Sequence, residues 1–95
     1  MSAYLIADIE VTDAAGFEEY RSKVAVTIAA HGGRYLVRGG ALTVLEGTWQ
    51  PKRCVVLEFP SAAQLKAWYA SPEYTPLIAI RQRTTKSNLM MVEGL

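Results

Sequence analysis

His31-Gly32-Gly33-Arg34-Tyr35-Leu36-Val37-Arg38-Gly39-Gly40 is the stretch that divides the chain. Paired glycines bracket five alternating residues. Gly32-Gly33 ends the helix before it, because glycine accepts the left-handed backbone that a C-terminal cap needs. Arg34 to Arg38 then reads as a strand, with Tyr35 and Val37 on one face and Arg34, Leu36 and Arg38 on the other. Gly39-Gly40 marks a bend or bulge. The same ten residues hold the chain's single histidine.

Upstream, Tyr4 to Val11 alternates, with Leu5, Ala7, Ile9 and Val11 on one face and Tyr4, Ile6, Asp8 and Glu10 on the other. That is a strand. Thr12-Asp13 offers an N-cap, since a short side-chain oxygen can accept a free amide of the first helical turn. A helix to about Ala30 follows, with Phe17, Tyr20 or Arg21, Val24 and Ile28 as its inner stripe. Downstream, Thr43 to Glu46 reads as a short extended piece ending at Gly47, and Trp49 sits in the turn-rich loop that follows. Arg53 to Phe59 is the third strand, with Val55, Leu57 and Phe59 on one face and Cys54, Val56 and Glu58 on the other. Ser61-Ala62-Ala63-Gln64 has the capping-box spacing, and Leu65, Trp68 and Tyr69 give the next helix its apolar face. Ser71-Pro72 breaks that helix. A further helical segment to about Arg83 starts at Ser71-Pro72 or at Thr75-Pro76. Lys86 to Glu93 is the last strand.

The order is β-α-β-β-α-β. It predicts an α+β ferredoxin-like fold over residues 1–95, a four-stranded antiparallel sheet with helices on one face. The covered face should carry Leu5, Ala7, Ile9, Val37, Val55, Leu57 and Phe59. The opposite face carries Tyr4, Ile6, Asp8, Leu36, Arg38, Cys54, Val56 and Glu58. It is too apolar to be left in water, so a second copy is expected to cover it about a two-fold axis.

Composition excludes several classes. Hydrophobic residues make up 51% of the chain and charged residues 20%, the balance of a soluble globular domain. A net charge of +1 makes no electrostatic case for nucleic acid or an anionic membrane. One cysteine, Cys54, allows no internal disulfide and predicts a reducing compartment, the cytoplasm. No signal peptide or membrane span is expected. The lone histidine and cysteine make no zinc or copper motif, and the carboxylates make no calcium loop. The glycine pairs lack the spacing of a phosphate loop, and no serine stands in a nucleophile elbow.

His31-Gly32-Gly33-Arg34-Tyr35, Arg38-Gly39-Gly40, Leu45-Glu46-Gly47, Trp49, Glu58-Phe59-Pro60 and Trp68-Tyr69-Ala70-Ser71-Pro72-Glu73-Tyr74 together resemble the small bacterial family called domain of unknown function 1330. The resemblance runs over nearly the whole chain, with its motifs in the right order. It implies a dimeric α/β-barrel, two ferredoxin-like sheets closed on each other, and no particular reaction. The broader superfamily includes cofactor-independent monooxygenases, isomerases and stress-related proteins. Pro76 departs from the family pattern and should bend or restart the last helix.

Alternation points Asp8, Arg38 and Glu58 to the face assigned to the dimer interior, where charges must be paired or hydrated. Arg38 there anchors an anion or polar ligand balanced by two carboxylates, or the three form an ion-pair network that sets sheet register. His31 is the natural general base. Equally, it stands where a histidine caps the last carbonyls of a helix. Tyr20 precedes it by about three turns, roughly 16 Å, so the two meet within one chain only if the histidine folds back. Trp49 covers a pocket mouth or packs across the dimer. Trp68 and Tyr69 read as core, and Tyr74 and Arg81 as the border of a cleft or a solvated helix edge. Two functions follow. One is a homodimer whose pocket binds or transforms a small organic molecule without a cofactor or metal. In it Arg38 holds an anionic or carbonyl group, His31 moves a proton, and Tyr20 and Trp49 line the site with Asp8 and Glu58. The other is a non-enzymatic ligand-sensing or structural dimer.

Overall fold

The computed structural model describes residues 1–95. Its elements are β1 (Ala3–Val11), α1 (Ala14–Ala30), β2 (Arg34–Arg38), β3 (Cys54–Phe59), α2 (Ala62–Tyr69), α3 (Thr75–Thr84) and β4 (Thr85–Glu93). The strands form one antiparallel sheet in the order β2-β3-β1-β4, the ferredoxin-like βαββαβ pattern. No helix is long and apolar enough to cross a membrane.

Alternation decides the two faces. Ala3, Leu5, Ala7 and Ile9 of β1 and Val55, Leu57 and Phe59 of β3 are buried under the helices. They meet Phe17, Tyr20, Val24 and Ile28 of α1, Leu65 and Trp68 of α2, and Tyr74 and Leu77 around the start of α3. Each large apolar side chain buried in this way stabilises the fold by about 1.5–3 kcal/mol. The inner stripe of α1 takes Tyr20 and leaves Arg21 outside, paired loosely with Glu18 at 3.4 Å.

Caps end the helices. Asp13 Oδ1 accepts the Gly16 amide at 3.0 Å. At the other end of α1, Gly33 N–H donates to Ile28 C=O at 3.0 Å and Gly32 N–H to Ala29 C=O at 3.1 Å, with Gly32 at φ +79°. That is a Schellman cap, which needs a left-handed residue at Gly32. Half of the capping box of α2 forms. Ser61 Oγ accepts the Gln64 amide at 3.2 Å, while the Gln64 side chain donates to the His31 carbonyl instead. Gln64 thereby ties the start of α2 to the end of α1.

The structure corrects several sequence expectations. Thr43 to Glu46, read as a short extended piece, joins no ladder and stays in the loop between β2 and β3. The last helix starts at Thr75, with Pro76 in its first turn where a missing N–H costs nothing. Ser71 caps the turn before it, its Oγ accepting the Tyr74 amide at 3.2 Å. Tyr69 lies at the rim of the core, whereas Tyr74 and Arg81, taken for a cleft border or helix edge, are buried. Val37 is 38% exposed on the open face rather than buried under the helices. The cause is a β-bulge.

Candidate functional site

The bulge builds the site. Tyr35 pairs with Leu57, Val37 with Val56 and Arg38 with Val55, which leaves Leu36 without a partner on β3. One extra residue sends every later side chain of the strand to the other face. Tyr35 therefore stays under the helices and Arg38 joins it there, while Val37 moves to the open face. The Arg38 guanidinium carbon lies 4.5 Å from the centroid of the Tyr35 ring, within cation–π range. The expectation that Arg38 shares the open face with Asp8 and Glu58 is thus corrected.

Arg53 reaches the same end of the fold from just before β3. Gly39 has φ +70°, and a Cβ there would stand 2.5 Å from Arg53 Nε. Only glycine combines that backbone with that clearance. The Gly39 amide closes the turn by donating to Cys54 C=O at 2.9 Å. Arg38 and Arg53 take part in none of the ion pairs of the molecule, which are Arg21–Glu18, Lys23–Glu19 and Arg34–Glu58.

Behind these two arginines lies a narrow cleft of about 40 Å³ between α1 and the sheet. Arg21, Arg38, Arg53, Tyr20 and Tyr35 are its polar lining, and the remainder is apolar, including Leu5, Ile9, Val24 and Val55. No carboxylate lines it. Tyr20 forms part of the inner wall, its hydroxyl 2.8 Å from that of Tyr74. Burial first, and then the Tyr74 hydroxyl, push Tyr20 well above the ordinary tyrosine range, so it stays neutral. Burial also raises Tyr35, against the downward pull of Arg38 and Arg53. Beyond the tyrosine pair lies Arg81, 3% exposed. Its Nη1 donates to Ser87 Oγ at 2.9 Å, and its Nε has no partner.

The other face carries a larger space. A groove of about 750 Å³ runs between the open face of the sheet and the loop that joins β2 to β3. Ile6, Val37, Cys54 and Met90 form its floor, and Leu42, Val44, Leu45 and Trp49 belong to its wall. Leu45 is 90% exposed and Trp49 66%, so the wall presents its apolar side chains to solvent.

Asp8 and Glu58 stand apart on this face. Asp8 Oδ1 accepts the backbone amides of Lys52 at 2.8 Å and Arg53 at 3.3 Å, which pins the far end of the loop. Glu58 is held by Arg34, with Nη2 at 2.7 Å and Nε at 2.8 Å, and by the Tyr4 hydroxyl at 3.3 Å. The hydrogen bond from Arg34 keeps its carboxyl below the usual range. The expected cluster of Asp8, Arg38 and Glu58 does not form.

His31 is the C-cap residue of α1. Its Nδ1 lies 3.0 Å from Thr27 C=O. A carbonyl only accepts, so Nδ1 is the donor in this contact. His31 lines neither the cleft nor the groove. Of the residues singled out in the sequence, Tyr20 and Arg38 meet at the cleft and Asp8 and Trp49 at the groove, while His31 and Glu58 belong to neither. Tyr35 and Arg53 line the cleft and were not singled out, and the sequence weighs Tyr74 and Arg81 only as a cleft border or a helix edge. For Arg53 a signal existed: it shares parity with the buried Val55, Leu57 and Phe59 of β3. For Tyr74 there was none, because its partner Tyr20 is 54 residues away.

Residues 2–95 match the family model described as domain of unknown function DUF1330. The chain belongs to the DUF1330 family. No curated protein matches it. Among solved structures, the DUF1330 chain is similar to a protein of unknown function from Rhodopseudomonas palustris, at 17% identity and a TM-score of 0.81, covering 99% of this chain and 82% of that one. It is also similar to SnoaB, a cofactor-independent oxygenase from Streptomyces nogalater, at 15% identity and TM-score 0.65, over 99% and 93% of the two chains. A dimeric ferredoxin-like protein of unknown function from Jannaschia sp. CCS1 shares 11% identity at TM-score 0.66, over 99% of this DUF1330 chain and all of that one. At these identities the likeness speaks for the fold alone.

Proposed function

We propose that the protein is a homodimer, closed through the open face of the sheet, in which each copy binds a small organic molecule in the cleft between α1 and the sheet. The observation that carries the binding site is Arg38. The bulge turns a guanidinium without an ion-pair partner to the helix-covered side of the sheet, where it stays exposed at the mouth of the cleft, over the Tyr35 ring. The cleft has the composition of a small-molecule site, a few polar groups on apolar walls, in an interior of about 40 Å³ that takes only a small group. Closure by a second copy is supported by the exposed Val37, Leu45, Trp49 and Met90 on one side of the molecule. Dimerisation among proteins of the same fold supports it too. Trp49 then packs across the dimer, Asp8 secures the loop that carries it, and Glu58 with Arg34 fixes the end of the sheet. A cytoplasmic setting fits the free thiol of Cys54.

A non-enzymatic sensing or structural dimer is the second reading. It is favoured by the small volume of the cleft and by the position of His31, whose ring caps α1 away from the cleft. In both readings His31 is a cap and no base. Sedimentation should give a particle of twice 10.4 kDa, and native mass spectrometry of the purified protein should show a co-purifying small molecule that Arg38→Ala loses. A monomer at micromolar concentration sinks the dimer. A ligand retained in full by Arg38→Ala sinks the site.

A further inference from the structure

The cleft is short of negative charge. Arg38 and Arg53 stand at its mouth outside every ion pair of the molecule, and no aspartate or glutamate lines it. The remaining walls are aliphatic and aromatic.

We propose that the ligand is a small organic monocarboxylate, its carboxylate held between Arg38 and Arg53 at the mouth and its apolar part resting against the apolar entrance, since the interior of about 40 Å³ admits only a few atoms. This rests on the small-molecule reading above and adds the charge class. The planar fork of a guanidinium matches a carboxylate with two parallel hydrogen bonds, and two such groups around one carboxylate give both affinity and orientation. The Tyr35 ring holds Arg38 by its face, so the fork is placed before the ligand arrives. Gly39 leaves the room that the Arg53 side chain occupies beside it. Tyr20 stays protonated and offers a neutral hydroxyl. The inner end therefore suits a neutral or weakly polar group and not a second carboxylate.

The test uses the whole protein and two probe pairs of equal shape, benzoate with benzamide and butyrate with butyramide. Amide chemical shifts are followed in a two-dimensional nitrogen–proton titration. Benzoate or butyrate should shift the amides of residues 35–39 and 53–55, and its amide counterpart should bind about tenfold more weakly or worse, as expected when a charge-assisted pair is lost. Arg38→Gln and Arg53→Gln should each weaken the carboxylate by a similar factor and leave the amide unchanged. Arg53→Lys keeps the charge without the fork and should fall between. Each variant is first checked for a spectrum dispersed like that of the wild type, and Arg38→Lys replaces Arg38→Gln if the latter is misfolded. If benzamide binds as tightly as benzoate at these same residues, the charge class is wrong and the cleft stands. If carboxylates bind but none of the arginine variants changes their affinity, the assigned anchors are wrong. If no probe shifts the cleft residues at millimolar concentration, both the carboxylate and the cleft are overturned.

Discussion

Thr27 shows how one residue joins two elements. Its Oγ1 donates to Val24 C=O at 2.7 Å and accepts from Trp68 Nε1 at 3.0 Å. Trp68 is among the most buried side chains of the molecule, so its N–H has no access to water. Thr27→Val keeps the shape and removes the acceptor. It should destabilise the fold by about 1–3 kcal/mol in urea, the desolvation penalty of an unmatched buried donor. Tyr20 gives a pH signature at the same scale. Its folded pKa is raised, so its contribution is complete below the unfolded value of about 10 and is lost as pH rises above that toward the folded value. The melting temperature should therefore fall steeply above about pH 10, and less steeply in Tyr20→Phe, whose phenyl ring cannot ionise. Equal alkaline slopes in the two proteins would contradict the burial assigned to Tyr20.

At the scale of the element, β2 is the part that periodicity misled. A five-residue strand looks the same from its own sequence whether or not it bulges, because the bulge exists only against β3. Reading strict alternation put Arg38 on the wrong face and Val37 with it. Deleting Leu36 should remove the bulge and leave Tyr35 opposite Leu57, Val37 opposite Val56 and Arg38 opposite Val55 in plain alternation, so Arg38 stays on the helix-covered face. A carboxylate that binds wild type should then keep its shifts at residues 53–55, and their loss would contradict the register. The loop after β2 depends on Asp8 instead. Asp8→Ala leaves the Lys52 and Arg53 amides without their acceptor, and their hydrogen exchange should quicken on the order of tenfold, with little change along β1 and β4. The helix ends, by contrast, were legible, since Asp13, Gly32-Gly33 and Ser61 act through contacts within a few residues.

For the whole molecule, the open face and the apolar loop are the surfaces that the proposed second copy would cover. Leu45 has the largest fractional exposure of any loop side chain among the large apolar residues, so a charge there tests coverage without disturbing the core. Leu45→Glu should raise the dimer dissociation constant by at least tenfold in sedimentation equilibrium while leaving far-ultraviolet circular dichroism unchanged. An unchanged constant would remove the loop from the interface. The proposed cleft opens on the other side of the sheet, so the two functions can be separated by mutation.

Strand and helix periodicity, capping residues and paired glycines by themselves determined the βαββαβ order, most of the covered sheet face and membership of a recognisable family pattern. Those signals are local, and each turn or strand obeys them with little regard for the rest of the chain. Only the tertiary structure decided the bulge at Leu36, the meeting of Tyr20 with Tyr74, the burial of Arg81 and the turning of Arg38 and Arg53 toward one cleft. These depend on which strand pairs with which and on contacts between residues far apart in sequence, where no periodicity reaches.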